Sequence, residues 1–160
     1  MVQKGYYEAL TANFARLIPH GRECGVHIDS VDESGARAHL PYRREWLGDA
    51  DRGLVHTGIV TMLIDTVAGL AGLAATGELL PIATLDLRVD FLRPALPDHA
   101  LHARAECFRL TRSIAFVRAS AWQADETQPV AVSQGAFMRN HKEKVAALTT
   151  FGGTPEHPKP

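Results

Sequence analysis

Between Thr57 and Gly77 the chain carries one ionisable side chain, Asp65, in an otherwise uncharged run opened by His56-Thr57-Gly58. Ile59, Val60, Met62, Leu63, Ile64, Val67, Leu70 and Leu73 place apolar groups on nearly every side of a helix. Such a helix must be enclosed by protein or by lipid. A lone carboxylate inside it is costly unless it is paired, hydrogen-bonded or put to use. Ala68, Gly69, Ala71, Gly72 and Ala75 make the second half slim enough for another element to pack closely.

The run is long enough to span a bilayer. Against that, Asp65 lies near its middle, four glycines lower its hydropathy and no basic cluster marks a cytoplasmic end. We therefore expect a central core helix and no membrane association. The length of 160 residues suits one domain with its own core. With 17 basic and 18 acidic side chains, a net charge of -1 supplies no field for nucleic acid. The first 22 residues are polar and amphipathic and lack an apolar signal region. We expect a cytoplasmic protein in which Cys24 and Cys107 are buried, reduced thiols. The eight histidines show no metal-binding spacing. His99 and His102, three apart in an expected strand, would point to opposite faces, so no metal site is expected.

Tyr6, Leu10, Phe14 and Leu17 recur at helical spacing, and Pro19 and Gly21 are expected to end that helix. Val26, Ile28 and Val31, then Asp32-Glu33-Ser34-Gly35, then Ala36, Ala38 and Leu40 read as strand, turn and strand. Residues 41 to 55 read as a loop carrying Trp46. After Gly77 the period changes to two: Leu85, Leu87, Val89 and Phe91 alternate with Thr84, Asp86, Arg88 and Asp90 as a half-buried strand. Leu101, Ala103, Ala105 and Cys107 alternate until Phe108 breaks the phase, which predicts a bulge. Two more strands, 113–122 and 130–138, flank the polar turn Ala124 to Gln128. The predicted class is α+β: a long central helix wrapped by a curved antiparallel sheet, with an extra N-terminal helix within 1–20. The domain is expected over 1–140, with a loose tail over 141–160.

His56-Thr57-Gly58, Leu63-Ile64-Asp65, Gly69, Thr84-Leu85-Asp86, Phe91-Leu92-Arg93-Pro94 and Leu110-Thr111-Arg112-Ser113-Ile114-Ala115-Phe116 occur in this order. In these motifs the chain resembles the hotdog-fold acyl-CoA thioesterases, and within them the phenylacetate-pathway family, over roughly 24–139. The resemblance implies an aspartate acting on the thioester carbonyl or its attacking water, and helix-start amides that polarise the carbonyl. Coenzyme A would enter as part of the substrate, with no separate cofactor. The chain departs from the family pattern twice: Thr57 stands at the first glycine of a His-Gly-Gly motif, and Ala50 where relatives often have Asn.

Thioester hydrolysis needs a polarised carbonyl and an activated nucleophile. The Thr57 and Gly58 amides, at a helix start with a positive dipole behind them, suit a developing oxyanion. Asp65 is the candidate general base on water, or a nucleophile forming a transient anhydride; sequence leaves both open. Thr84 is a candidate to hold the water. His56, the remaining candidate, reads as shaping the turn and bonding locally more than as a base. Coenzyme A needs cations, and Arg88, Arg93, Arg109 and Arg112 lie on the later strands and turns. Arg112-Ser113 is the preferred phosphate contact and Arg93 the next. Trp46, Tyr6 and Phe14 are candidate walls of an acyl pocket.

The function so implied is hydrolysis of a medium-chain or aromatic acyl-CoA to free acid and CoA. The alternatives are a hotdog enoyl-CoA hydratase or dehydratase, and a non-catalytic acyl-CoA-binding accessory protein. Thr57 and Asp65 are eight residues apart, about 12 Å of helix rise, too far to serve one carbonyl in one chain. We therefore expect a homodimer with shared sites, pairing further into a homotetramer.

Overall fold

The computed structural model describes residues 4–139, and the tail expected over 141–160 lies outside them. Helix α1 spans Lys4–Leu17 and buries Leu10 and Phe14. Its Tyr6 hydroxyl is shared between the carbonyls of Leu73 (2.7 Å) and Glu78 (3.1 Å). Pro19 does not simply end this helix. It opens a second, α2 (Pro19–Cys24), which buries Gly21 and stops at Gly25 with φ 77°. The fixed φ and missing N–H of proline suit a first helical position as well as a terminus.

Strands β1 (His27–Asp32) and β2 (Gly35–Leu40) form the predicted hairpin. Its turn is held by Asp32, whose Oδ1 accepts from the Ser34 amide at 2.7 Å and the Ser34 hydroxyl at 2.5 Å. These bonds, the hydroxyl first, hold the Asp32 carboxyl below its ordinary range. A Cβ on Gly35 (φ 136°) would lie 2.0 Å from the Ala105 carbonyl oxygen, so only glycine fits there. The expected loop 41–55 instead contains a short 3-10 turn, Arg44–Trp46, and a ribbon of β3 (Leu47–Asp49) and β4 (Leu54–Val55). Strands of three and two residues are too short to show a period.

Helix α3 (Thr57–Thr76) follows and ends at Gly77 in the left-handed region. Strands β5 (Ile82–Phe91), β6 (Leu101–Leu110), β7 (Ile114–Trp122) and β8 (Ala131–Arg139) complete one antiparallel sheet ordered β1-β2-β6-β7-β8-β5. His99 lies in the segment before β6, not in a strand. The bulge predicted at Phe108 is present, where the β6–β7 register shifts between Cys107 and Arg109. Cys24 and Cys107 are half-buried free thiols rather than buried ones, and burial pushes the Cys107 pKa up.

Small side chains bring helix and sheet together. Ala38, Ala103, Ala121 and Ala131 stand in register across four strands, all buried, and form the floor beneath α3. Leu63, Ile64, Val67 and Leu70 of α3 are completely buried in the same core. On the helix, a Cβ at Gly72 would meet the Ile82 side chain at 2.8 Å, which is the close packing its small residues predicted. Although α3 is long and apolar enough to cross a membrane, most of it is buried inside the fold, with Val60, Leu63, Ile64 and every residue from Val67 to Ala74 enclosed. In its first half one face is left open, and the site lies there.

Candidate active site

The β3–β4 ribbon sets the start of α3. The His56 amide donates to the Trp46 carbonyl at 2.7 Å, and a Cβ on Gly48 would lie 2.9 Å from the His56 Cα. His56 is thereby clamped as the N-cap residue, and its Nδ1 accepts from the Gly58 N–H at 2.9 Å. In the neutral ring the proton then sits on Nε2. Gly58 is required by this cap, since a Cβ there would meet Nδ1 at 2.8 Å. His56 thus makes the local bond expected of it. Of the expected pair of open amides, that of Gly58 is occupied by the cap, while the Thr57 N–H, a donor of the first turn, has no acceptor among the described residues.

Two turns further along the same face, Asp65 is half-buried, not enclosed. Its Oδ1 accepts from the Thr84 hydroxyl at 2.8 Å. Strict alternation along β5 would turn Thr84 away from the helix. The β5–β8 register shifts between Thr84 and Asp86, however, so Leu85 is an extra residue and Thr84 comes round to the inner face with Leu87 and Val89. Leu85 in turn is 55% exposed, contrary to its expected place among the inward residues.

His56, Thr57, Gly58, Asp65 and Thr84 line one open trough of about 600 Å³, together with Thr61, Met62, Leu87 and Phe91. All five candidate catalytic residues thus line the same trough. The expected coenzyme contacts are more scattered. Arg112 and Ser113 lie in the β6–β7 turn, beside the strand end that carries Thr84. Arg93 lies past the other end of β5, bonded through Nη1 to Gln128 Oε1 at 2.7 Å. Arg88 pairs with Asp90 on a solvated face. Trp46, Tyr6 and Phe14 do not line the trough: Trp46 reaches it only through its carbonyl on His56, Tyr6 bonds the far end of α3, and Phe14 is core. Gly48 and the Trp46 carbonyl were missed by sequence reasoning. The only local signal was a glycine in a polar segment, which any turn would also explain.

Comparison with known proteins accords with this geometry. Residues 52–130 match the family model described as the thioesterase superfamily. A Halobacterium salinarum protein whose name assigns it provisionally as an esterase is 35% identical over 121 residues, 71% of this chain and 79% of that one. The medium/long-chain acyl-CoA thioesterase YigI of Escherichia coli K12 is 25% identical over 114 residues, 63% of this chain and 68% of that one. A crystal structure of a Pseudomonas aeruginosa protein is 35% identical with a TM-score of 0.75, covering 84% of this chain and 99% of the other. The Escherichia coli PaaI protein of the phenylacetic acid degradation operon shares the fold, at 19% identity and a TM-score of 0.76, over 88% of this chain and 96% of that one. The chain belongs to the thioesterase superfamily. It has the hotdog fold, a long helix wrapped by an antiparallel sheet, and it is a thioester hydrolase.

Proposed function

We propose that this protein hydrolyses a medium-chain or aromatic acyl-CoA to the free acid and CoA. The observation that carries the reading is the Asp65–Thr84 pair on the open face of α3, facing the same trough as the helix start. The Thr57 N–H receives the developing oxyanion. Asp65 either takes a proton from the attacking water or attacks the carbonyl itself, forming an anhydride that water then opens. In both routes the C–S bond breaks and the thiolate leaves; it takes its proton from the water, returned through Asp65 in the first route and released as water opens the anhydride in the second. The related YigI, named as a medium/long-chain acyl-CoA thioesterase, supports the substrate class.

The working unit in this reading is a two-fold dimer, because reacting atoms must approach to about 3 Å and about 12 Å of helix separates Thr57 from Asp65. The trough face is open within one chain, and Phe91 and Leu92 beside it are 45% and 55% exposed. Antiparallel α3 helices packed through this face would set Asp65 and Thr84 of one subunit against Thr57 of the other. The same pairing explains why Arg112-Ser113 and Arg93 lie at opposite ends of β5, with one CoA contacted from both subunits. Two such dimers make the proposed homotetramer, and we place the protein in the cytoplasm.

The test is thiol release from a panel of acyl-CoAs by wild type and Asp65→Asn. We expect a loss of about 10²- to 10⁴-fold, the usual worth of a positioned base. Equal rates in the two proteins overturn the reading.

A further inference from the structure

A second cavity, of about 250 Å³, adjoins the trough. It is walled by Leu54, Val60, Ala95 and Val130 and shares Thr57 and Phe91 with the open site. Its walls are pinned by the backbone: the Val55 amide donates to the Ala95 carbonyl at 3.0 Å, and the Leu92 and Arg93 amides donate to the Val130 carbonyl at 2.8 and 3.4 Å. The amides of Val55, Leu92 and Arg93 are therefore already used. The Arg93 guanidinium is turned to Gln128. Val55, Val60, Ala95 and Val130 are all buried.

We propose that this cavity receives the acyl arm of the substrate and that Ala95 and Val130 set its length. The inference rests on the thioesterase reading of the neighbouring site. A carbonyl held at Thr57 divides the ligand into two arms, one of which enters the cavity while the other follows the trough. The pantetheine arm carries amides and a hydroxyl, which would lose water and find few free partners between these walls. An alkyl or aryl arm loses no hydrogen bonds and gains by leaving water. The size agrees: an apolar cavity of about 150 Å³ admits benzene, so this one accommodates a phenylacetyl group or a chain of about eight carbons. The cavity thus takes the place in substrate selection that Trp46, Tyr6 and Phe14 were expected to fill.

The experiment measures kcat/KM for straight-chain acyl-CoAs from butanoyl to tetradecanoyl and for phenylacetyl-CoA. Ala95→Leu narrows the cavity and Val130→Ala widens it. The wild-type optimum is expected near about eight carbons, with each methylene beyond the fit costing about tenfold. Ala95→Leu should move the optimum to shorter chains and Val130→Ala to longer ones. If Ala95→Leu instead fails to fold, Val130→Ala decides alone. A KM raised by one factor at every length assigns the cavity to the thiol arm and overturns the inference, as does an unmoved optimum in the variants that fold. Calorimetry with S-alkyl-CoA thioethers of the same lengths separates this proposal from the hydrolytic reading. Should no thioester turn over while the length dependence of thioether affinity moves with the variants, hydrolysis falls and the cavity assignment stands. If turnover is present and neither length profile moves, the cavity assignment falls and hydrolysis stands.

Discussion

The Thr84 hydroxyl reaches the Asp65 carboxylate at 2.8 Å because β5 carries one extra residue, Leu85, immediately after Thr84. This bond engages one carboxylate oxygen of a side chain that lines the trough. Thr84→Val should lower kcat by about 10- to 100-fold, the worth of a hydrogen bond to a charged group. Thr84→Ser should keep most of the rate. Steady-state kinetics on one acyl-CoA decide it, and Thr84→Val at the wild-type rate would remove Thr84 from the machinery.

The shared-site dimer is tested by complementation. Thr57→Pro removes the N1 amide, and the extended backbone of His56 (φ -61°, ψ 129°) already suits a following proline. Each of Thr57→Pro and Asp65→Asn should be inactive alone. In a randomly mixed dimer one site carries both lesions and one carries neither, so co-expression should restore about a quarter of wild-type activity. Mixed dimers shown to form yet as inactive as both parents would refute shared sites.

His56 caps the helix start through the bond its Nδ1 accepts from the Gly58 amide. His56→Ala should destabilise the fold by about 1 kcal/mol, the usual cost of a lost N-cap, read as a fall in Tm of roughly 2–4 °C. His56→Asn should recover most of that. Gly58→Ala should also destabilise, since its Cβ would sit 2.8 Å from the His56 Nδ1. A His56→Ala protein with unchanged Tm contradicts the capping role.

Tyr6 links α1 to the end of α3, and desolvation is the main cause that pushes its phenol up to about 12. The unfolded chain ionises near pH 10, before the folded one, so deprotonation favours unfolding in this window. The stability from Tyr6 is complete below pH 10 and lost as pH rises towards 12. Denaturant unfolding across this range should show a slope that Tyr6→Phe lacks; identical slopes count against it.

Ser133 stands in register with Ala119 on β7, and its buried hydroxyl has no hydrogen-bond partner among the described residues. An unsatisfied buried hydroxyl costs about 1–3 kcal/mol. Ser133→Ala should therefore raise stability by about 1 kcal/mol in urea unfolding, and a clear loss would show that the hydroxyl is bonded in solution.

Local patterns were enough to place α3, since an apolar run with one carboxylate near its middle, closed by Gly77, reads as a helix enclosed by protein rather than by lipid. They also placed the Asp32–Gly35 turn, the strands with a period of two and the break at Phe108, because each depends on residues close in the chain. Five of the residues that line the trough were likewise visible as His56-Thr57-Gly58, Asp65 and Thr84. What lay beyond reach was decided across the fold. The bulge at Leu85 arises from pairing with β8, and the clamp on His56 comes from a ribbon too short to carry a period. The Gly58 amide is closed by a side chain whose rotamer follows from that clamp. Which face of α3 stays open is set by where the sheet stops, and no property of the helix itself encodes that edge. A run of apolar residues specifies burial without specifying the partner, and only the tertiary structure supplies the partner.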